Sequence, residues 1–243
     1  MQAPRRPKRS TSRSVNVAAA AAALPLALSF IPSGSGTGVA ATCGVHCGTE
    51  RWHVKTLSDA SASQVTLEPK TTTVANLVSI APPAQLGEDE RDPTEMQAVT
   101  VNAQLVGYKE ELSSGKGDHD FHIVIQDPAS NDTMIVEIPD PQCDGVCNSV
   151  AGDQIKAARD AFASTFQSSP PRSSFVKFQH PVRVTVTGVP LFDFHHGQTG
   201  VARNCIEIHP VLSLTFPDGP PAERPAKGSV PALADDDYDC ISE

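Results

Sequence analysis

The chain is short of positive charge. Its 243 residues carry 19 Lys and Arg against 28 Asp and Glu, a formal net charge of −9. Five of the basic residues, Arg5, Arg6, Lys8, Arg9 and Arg13, lie in the first 41 positions, where there is no acid. Residues 42–243 therefore hold 14 basic against 28 acidic side chains, a net of −14. A field of that sign repels phosphate backbones, which are bound by Lys and Arg that displace counterions, so non-specific nucleic-acid binding is not expected. Several catalytic signatures are also missing. There is no G-x-S-x-G elbow, no phosphate-cradling P-loop and no H-E-x-x-H. Neither close cysteine pair has the C-x-x-C spacing of a zinc ribbon. No internal repeat is present. The one long apolar run, residues 15–31, is rich in Ala and broken by Pro25, and is a poor candidate for a stable membrane span of about 20 residues.

What is present at the N-terminus is a basic segment, that apolar run and a small-residue stretch ending at Ala41. This order predicts a signal peptide over 1–41 and an extracytoplasmic, secreted or envelope location. All six cysteines lie beyond it, and an even count in an oxidising compartment reads as disulfides. The short C-x-x-x-C spacings predict Cys43–Cys47 and Cys143–Cys147, which leaves Cys205 to pin the tail through Cys240. Residues 42–97 read as an irregular N-terminal extension ending in a charged linker, "QLGEDERDPTE". Residues 98–216 read as the folded domain. Residues 217–243, rich in Pro and acid, read as a disordered tail.

Periodicity within 98–216 is clear. Val99, Val101, Ala103 and Leu105 alternate in a first strand, Phe121, Ile123 and Ile125 in a second, and "TMIVEIPD" makes a third after the turn "DPASND". Ile155, Ala158, Phe162 and Phe166 then share one stripe of a helix. Val182, Val184 and Val186 mark a fourth strand, and Ile206, Ile208, Pro210, Leu212, Leu214 and Phe216 keep parity along a fifth. The order β-β-β-α-β-β predicts a mainly β fold, a five-stranded OB-like Greek-key barrel.

An OB-fold presents ligands to the loops between its strands 1 and 2 and its strands 4 and 5. Here these are residues 113–122 and 193–204. Parity directs Asp120, His122, Glu207 and His209 away from the apolar core, toward the outer surface. Asp118, Asp120, His122, Asp193, His195, His196, Gln198, Thr199, Glu207 and His209 are thus the candidate ligand-binding residues. His122, His195 and His209 with a nearby carboxylate would suit a metal such as zinc. A simpler reading has Gly197 and Gly200 at positive φ while the histidines bond backbone carbonyls.

The strings "GDHDFHIVIQD", "MIVEIPDPQC", "VTGVPLFDFHHGQTGVARNCIEIHPVL" and "RWHVKTLSD" resemble segments of a family of bacterial exported proteins with an OB-like barrel. The most specific shared strings are D-x-D-F-H and H-G-Q-T-G-V-A-x-N…I-E-I-H-P-V-L. The resemblance implies that barrel and loops recur as a unit, and it supplies no catalytic residue or cofactor. The expected function is a secreted binding module for an extracellular ligand or envelope protein. A metal-dependent, possibly nuclease-like hydrolase using the histidines and carboxylates is the alternative.

Overall fold

The computed structural model describes residues 44–112, 118–195, 197–233 and 237–240. The expected signal peptide, Cys43, residues 113–117 and His196 lie outside the described residues. Seven strands form one mixed sheet: β1 (Thr66–Thr72), β2 (Gln97–Glu110), β3 (Phe121–Gln126), β4 (Thr133–Ile138), β5 (Val176–Phe192), β6 (Ile206–Thr215) and β7 (Ala226–Lys227). Their order is β1-β2-β3-β4-β6-β5-β7, and β2 also pairs with β5. Strands β2, β3, β4, β6 and β5 therefore close a ring of hydrogen bonds. Within it β4 and β6 run parallel, and the other neighbours antiparallel.

The expected strands and helix all form. The Asp127 carboxylate accepts the backbone N–H groups of Ala129 and Ser130 at 2.8 and 3.2 Å, which folds the β3–β4 turn and sets His122 opposite Glu137. The alternating residues of β2 and β3 lie in the main core, and so do Ile155, Ala158, Phe162 and Phe166 of the helical segment. Among the described residues the α-helices are α1 (Trp52–Lys55), α2 (Val74–Val78), α3 (Asp144–Cys147) and α4 (Gly152–Thr165). Arg159 of α4 lies 3.6 Å over the Phe121 ring and donates to the Ile138 and His119 carbonyls, each at 2.8 Å. Parity on β6 breaks once. Register shifts on either side of Gly188 bring Val211 into the core cluster, where strict alternation would place Pro210.

The N-terminal extension is an integral part of the fold. β1 pairs in parallel with β2, and Thr73 caps α2 by accepting the Asn76 N–H at 3.0 Å. The segment read as a charged linker closes around Arg51. All five guanidinium N–H groups are used: Nη1 and Nη2 donate to Glu95 at 2.7 and 2.9 Å, with further bonds to the carbonyls of Phe192, Glu90 and Gly87. Glu95 is fully buried. The charged stretch is thus not a linker, because a buried guanidinium needs these acceptors.

Two further expectations are corrected. Cys47 pairs with Cys143, Cα to Cα 5.6 Å, which excludes both short-loop bridges. The reason is an isolated bridge between Val45 and Cys143, with the Asp144 N–H donating to the Val45 carbonyl at 2.9 Å, that carries Cys47 to its partner. Cys205–Cys240 forms as expected, and Cys147 is also oxidised. The tail, expected to be disordered, returns to the sheet: β7 pairs with β5, Glu223 accepts the Gln179 N–H at 2.6 Å, and Cys240 reaches Cys205. The disulfides suit an oxidising, extracytoplasmic compartment, and no helix among the described residues is long and apolar enough to cross a membrane.

Removing one partner of a buried, hydrogen-bonded ion pair strands the other charge and costs about 3–5 kcal/mol. Arg51→Ala should lower stability by that amount in denaturant unfolding. A loss under about 1 kcal/mol would mean that the extension contributes little to the fold.

Candidate functional site

The polar side chains of β3, β4 and β6 point away from the main core, as parity requires, but they do not reach solvent. His122, His209 and Asp120 are 0 % exposed, and Glu137, Glu207, Asp193 and Lys55 are also buried. Segments distant in sequence bring them together. Asp120 and His122 come from the start of β3, Glu137 from β4, Glu207 and His209 from β6, Asp193 and Thr199 from the β5–β6 loop, and Lys55 from α1. The expectation of an outer surface is therefore corrected: the extension and the β5–β6 loop cover this face.

His122 links two elements. Its Nε2 donates to the Thr199 carbonyl at 2.8 Å, and its Nδ1 lies 2.7 Å from Glu137 Oε1 and 3.3 Å from Glu111 Oε1. A carbonyl can only accept, so Nε2 carries a proton, and the two carboxylates favour a second proton on Nδ1. Burial opposes that charge, but the bonds to Glu111 and Glu137 outweigh it and raise the His122 pKa to about 9. His209 Nδ1 lies 3.1 Å from Glu207 Oε1 and 3.3 Å from Glu137 Oε2, while its Nε2 lies 3.0 Å from Asp120 Oδ2. Lys55 Nζ donates to Asp193 Oδ2 at 3.0 Å. Its ammonium is held charged despite burial by Asp193, Glu207 and Glu137.

Carboxylates crowd this layer. Burial, then repulsion from Asp193 and Glu137, pushes Glu207 up to about 7. Burial, then Asp120, Glu137 and Glu111, pushes Asp118 up to about 8. Burial also raises Asp120, against the pull of His209. Glu111 goes the other way: burial resists its charge, but His122 and Lys109 hold it well below the usual range.

The remaining predicted residues stand apart. His195 stacks on Tyr238 of the tail, ring centroids 4.1 Å apart, so the trio His122, His195 and His209 is not assembled. Gln198 Nε2 donates to the Phe194 carbonyl at 2.9 Å. Asp118 is half-buried and accepts the Asp120 N–H at 3.2 Å. Gly197 and Gly200 have φ of 82° and 85°. A Cβ on Gly200 would sit 2.5 Å from Val124 Cγ2, so glycine lets the β5–β6 loop rest on β3. Among the described residues, the groups whose donor atoms lie close enough together for a metal are instead Glu111, His122 and Glu137, and Asp120, Glu137 and His209. Glu137, Lys55 and Glu111 were not anticipated. Glu137 was within reach: it is the lone charge in "TMIVEI", and counting back from the β3–β4 turn pairs it with His122. Lys55 left no local signal. Neither family models nor curated proteins match the chain, and the site is read from its own geometry.

His122, Glu207 and Asp118 all bind protons more tightly in the folded state than their ordinary values of 6.5, 4.5 and 3.8 allow. Their contribution to stability is full below those ordinary values and is lost as pH rises through about 7, 8 and 9. The unfolding midpoint of chelator-treated protein should fall between pH 5 and pH 9, and Glu207→Gln should flatten the part of the fall below pH 7. A midpoint that rises over this range would contradict the assignment.

Proposed function

We propose that the protein is an exported OB-like binding module, with residues 1–41 as its export signal and the five-strand ring as a Greek-key barrel. It recognises an extracellular ligand or envelope protein beside the β5–β6 loop. The strand order round the ring supports the barrel reading. The observation that carries the function is a cavity of about 450 Å³ at the far end of the β3–β4 face, lined by Gln126, Thr133, Val201, Arg203, Leu233 and Tyr238 among others. Its size and its mixture of apolar walls with convergent polar groups suit a small ligand or an inserted side chain.

The burial of His122 and His209 favours this reading over the hydrolase alternative, because no substrate meets either ring without displacing the covering loop. The ligand surface is thus displaced along the sheet from the histidines to the groove beneath the tail.

Filling the cavity tests the idea. In chemical-shift mapping against panels of envelope saccharides and peptides, a ligand should perturb Gln126, Val201 and Tyr238. Val201→Trp should weaken that ligand at least tenfold in a folded protein. Shifts confined to other faces, or unaltered affinity in the folded variant, would refute the groove.

A further inference from the structure

We propose that Asp120, Glu137 and His209 form a buried site for one divalent transition-metal ion of the zinc class. The His209 ring lies between two carboxylates. Its Nδ1 is in hydrogen-bonding geometry with Glu207 Oε1 at 3.1 Å and donates to that carboxylate. Nε2 is left facing Asp120 Oδ2 at 3.0 Å. Both atoms are fully buried and neither makes a hydrogen bond. An imidazolium N–H would have to point along the line to Oδ2 to compensate the burial, and it does not. A neutral ring would set two lone pairs against each other, away from water.

A metal ion satisfies both atoms because it sits off the line that joins its ligands. Two donors each about 2.0–2.2 Å from a tetrahedral zinc stand about 3.3–3.6 Å apart, a few tenths of an ångström wider than the 3.0 Å seen here. Glu137 completes a set whose donor atoms all lie within 4.8 Å of one another. His122 is not available, since both of its nitrogens are engaged by Glu137 and Thr199. One imidazole with two carboxylates suits zinc and its neighbours better than calcium or magnesium, which take oxygen ligands. The Glu207–His209 pair has the arrangement of a carboxylate that orients a metal-bound histidine.

Charge points the same way. Asp120, Glu137, Asp193 and Glu207 are four buried carboxylates, against Lys55 and the protonated His122 within the layer and Arg159 at its edge. The three ligands come from the start of β3, from β4 and from β6, neighbours in the ring, and all are buried. Three protein ligands leave the fourth tetrahedral position to a water, and with all three buried the ion ties the strands together beneath the covering loop. The inference is independent of the groove: either can fail alone.

The test uses the purified, disulfide-bonded chain. Elemental analysis should find one zinc per chain after equilibration with Zn²⁺, and X-ray absorption at the zinc edge should show one imidazole and oxygen donors without sulfur. Glu207→Gln should weaken zinc binding about 10–100-fold, Asp120→Asn at least as much, and His195→Gln not at all. If the Asp120 variant fails to fold, the absorption spectrum of the unaltered chain still decides the ligand set. An unaltered chain that takes up no metal, a spectrum with two imidazoles or sulfur, or full affinity in folded Asp120→Asn would each overturn the proposal.

Discussion

The arrangement of the outer sheet face depends on His122, held between the Glu137 carboxylate and the Thr199 carbonyl. One contact fixes the ring to the neighbouring strand and the other fixes the β5–β6 loop to the ring. Hydrogen bonds to charged groups contribute about 1.5–3 kcal/mol each, and leaving a buried partner unmatched costs at least as much. The loop cannot lift without exposing the Thr199 carbonyl to a new partner and stranding the imidazole. Gly200 then rests on Val124, and Val201 packs on Ile135 with Cys205. A single buried ring thus helps convert the loop between β5 and β6 into a cover.

The cover is secured from a second direction by one helical turn. Arg51 precedes α1 and Lys55 ends it, and the two cations meet consecutive residues at the end of β5. Arg51 donates to the Phe192 carbonyl, and Lys55 donates to the Asp193 carboxylate. Between them Trp52 Nε1 donates to Asp144 Oδ1 at 2.9 Å, which joins α1 to the segment bridged by Cys47 and Cys143. The extension therefore supplies the counter-charge, Lys55, that lets Asp193 of the β5–β6 loop lie against an acidic sheet face. Without Lys55, Asp193 and Glu207 would share this space with no buried cation between them.

Period-two alternation made the strands legible, and the change to a helical stripe at Ile155, Ala158 and Phe162 made α4 legible, because both patterns are local. Parity also placed Asp120, His122, Glu207 and His209 on the face opposite the main core. It carried no information about what lies above that face. The covering contacts join residues such as Lys55 and Asp193, 138 positions apart, and leave no periodic trace. The same limit applies to the cysteines. Spacing favours the shortest loop, whereas the pairing of Cys47 with Cys143 follows from a backbone bridge at Val45 that only the folded chain creates. The tail's composition likewise describes a solvated segment and omits the disulfide that returns it to the sheet.

A face buried this deeply could have been apolar, and its charge has a consequence for register. Side chains on a strand alternate, so a slip of one residue exchanges its two faces. On β3 such a slip would drive His122 and Asp120 into the space filled by Phe121 and Ile123, and on β6 it would do the same with Glu207 and His209. Each misplaced group would lose its partners inside an apolar core, at a cost of several kcal/mol per ion. An all-apolar strand buried on both faces would offer nearly equal packing in either register. The His–carboxylate layer removes that degeneracy: β3, β4 and β6 each carry at least one group that finds its partners only when all three strands are in register.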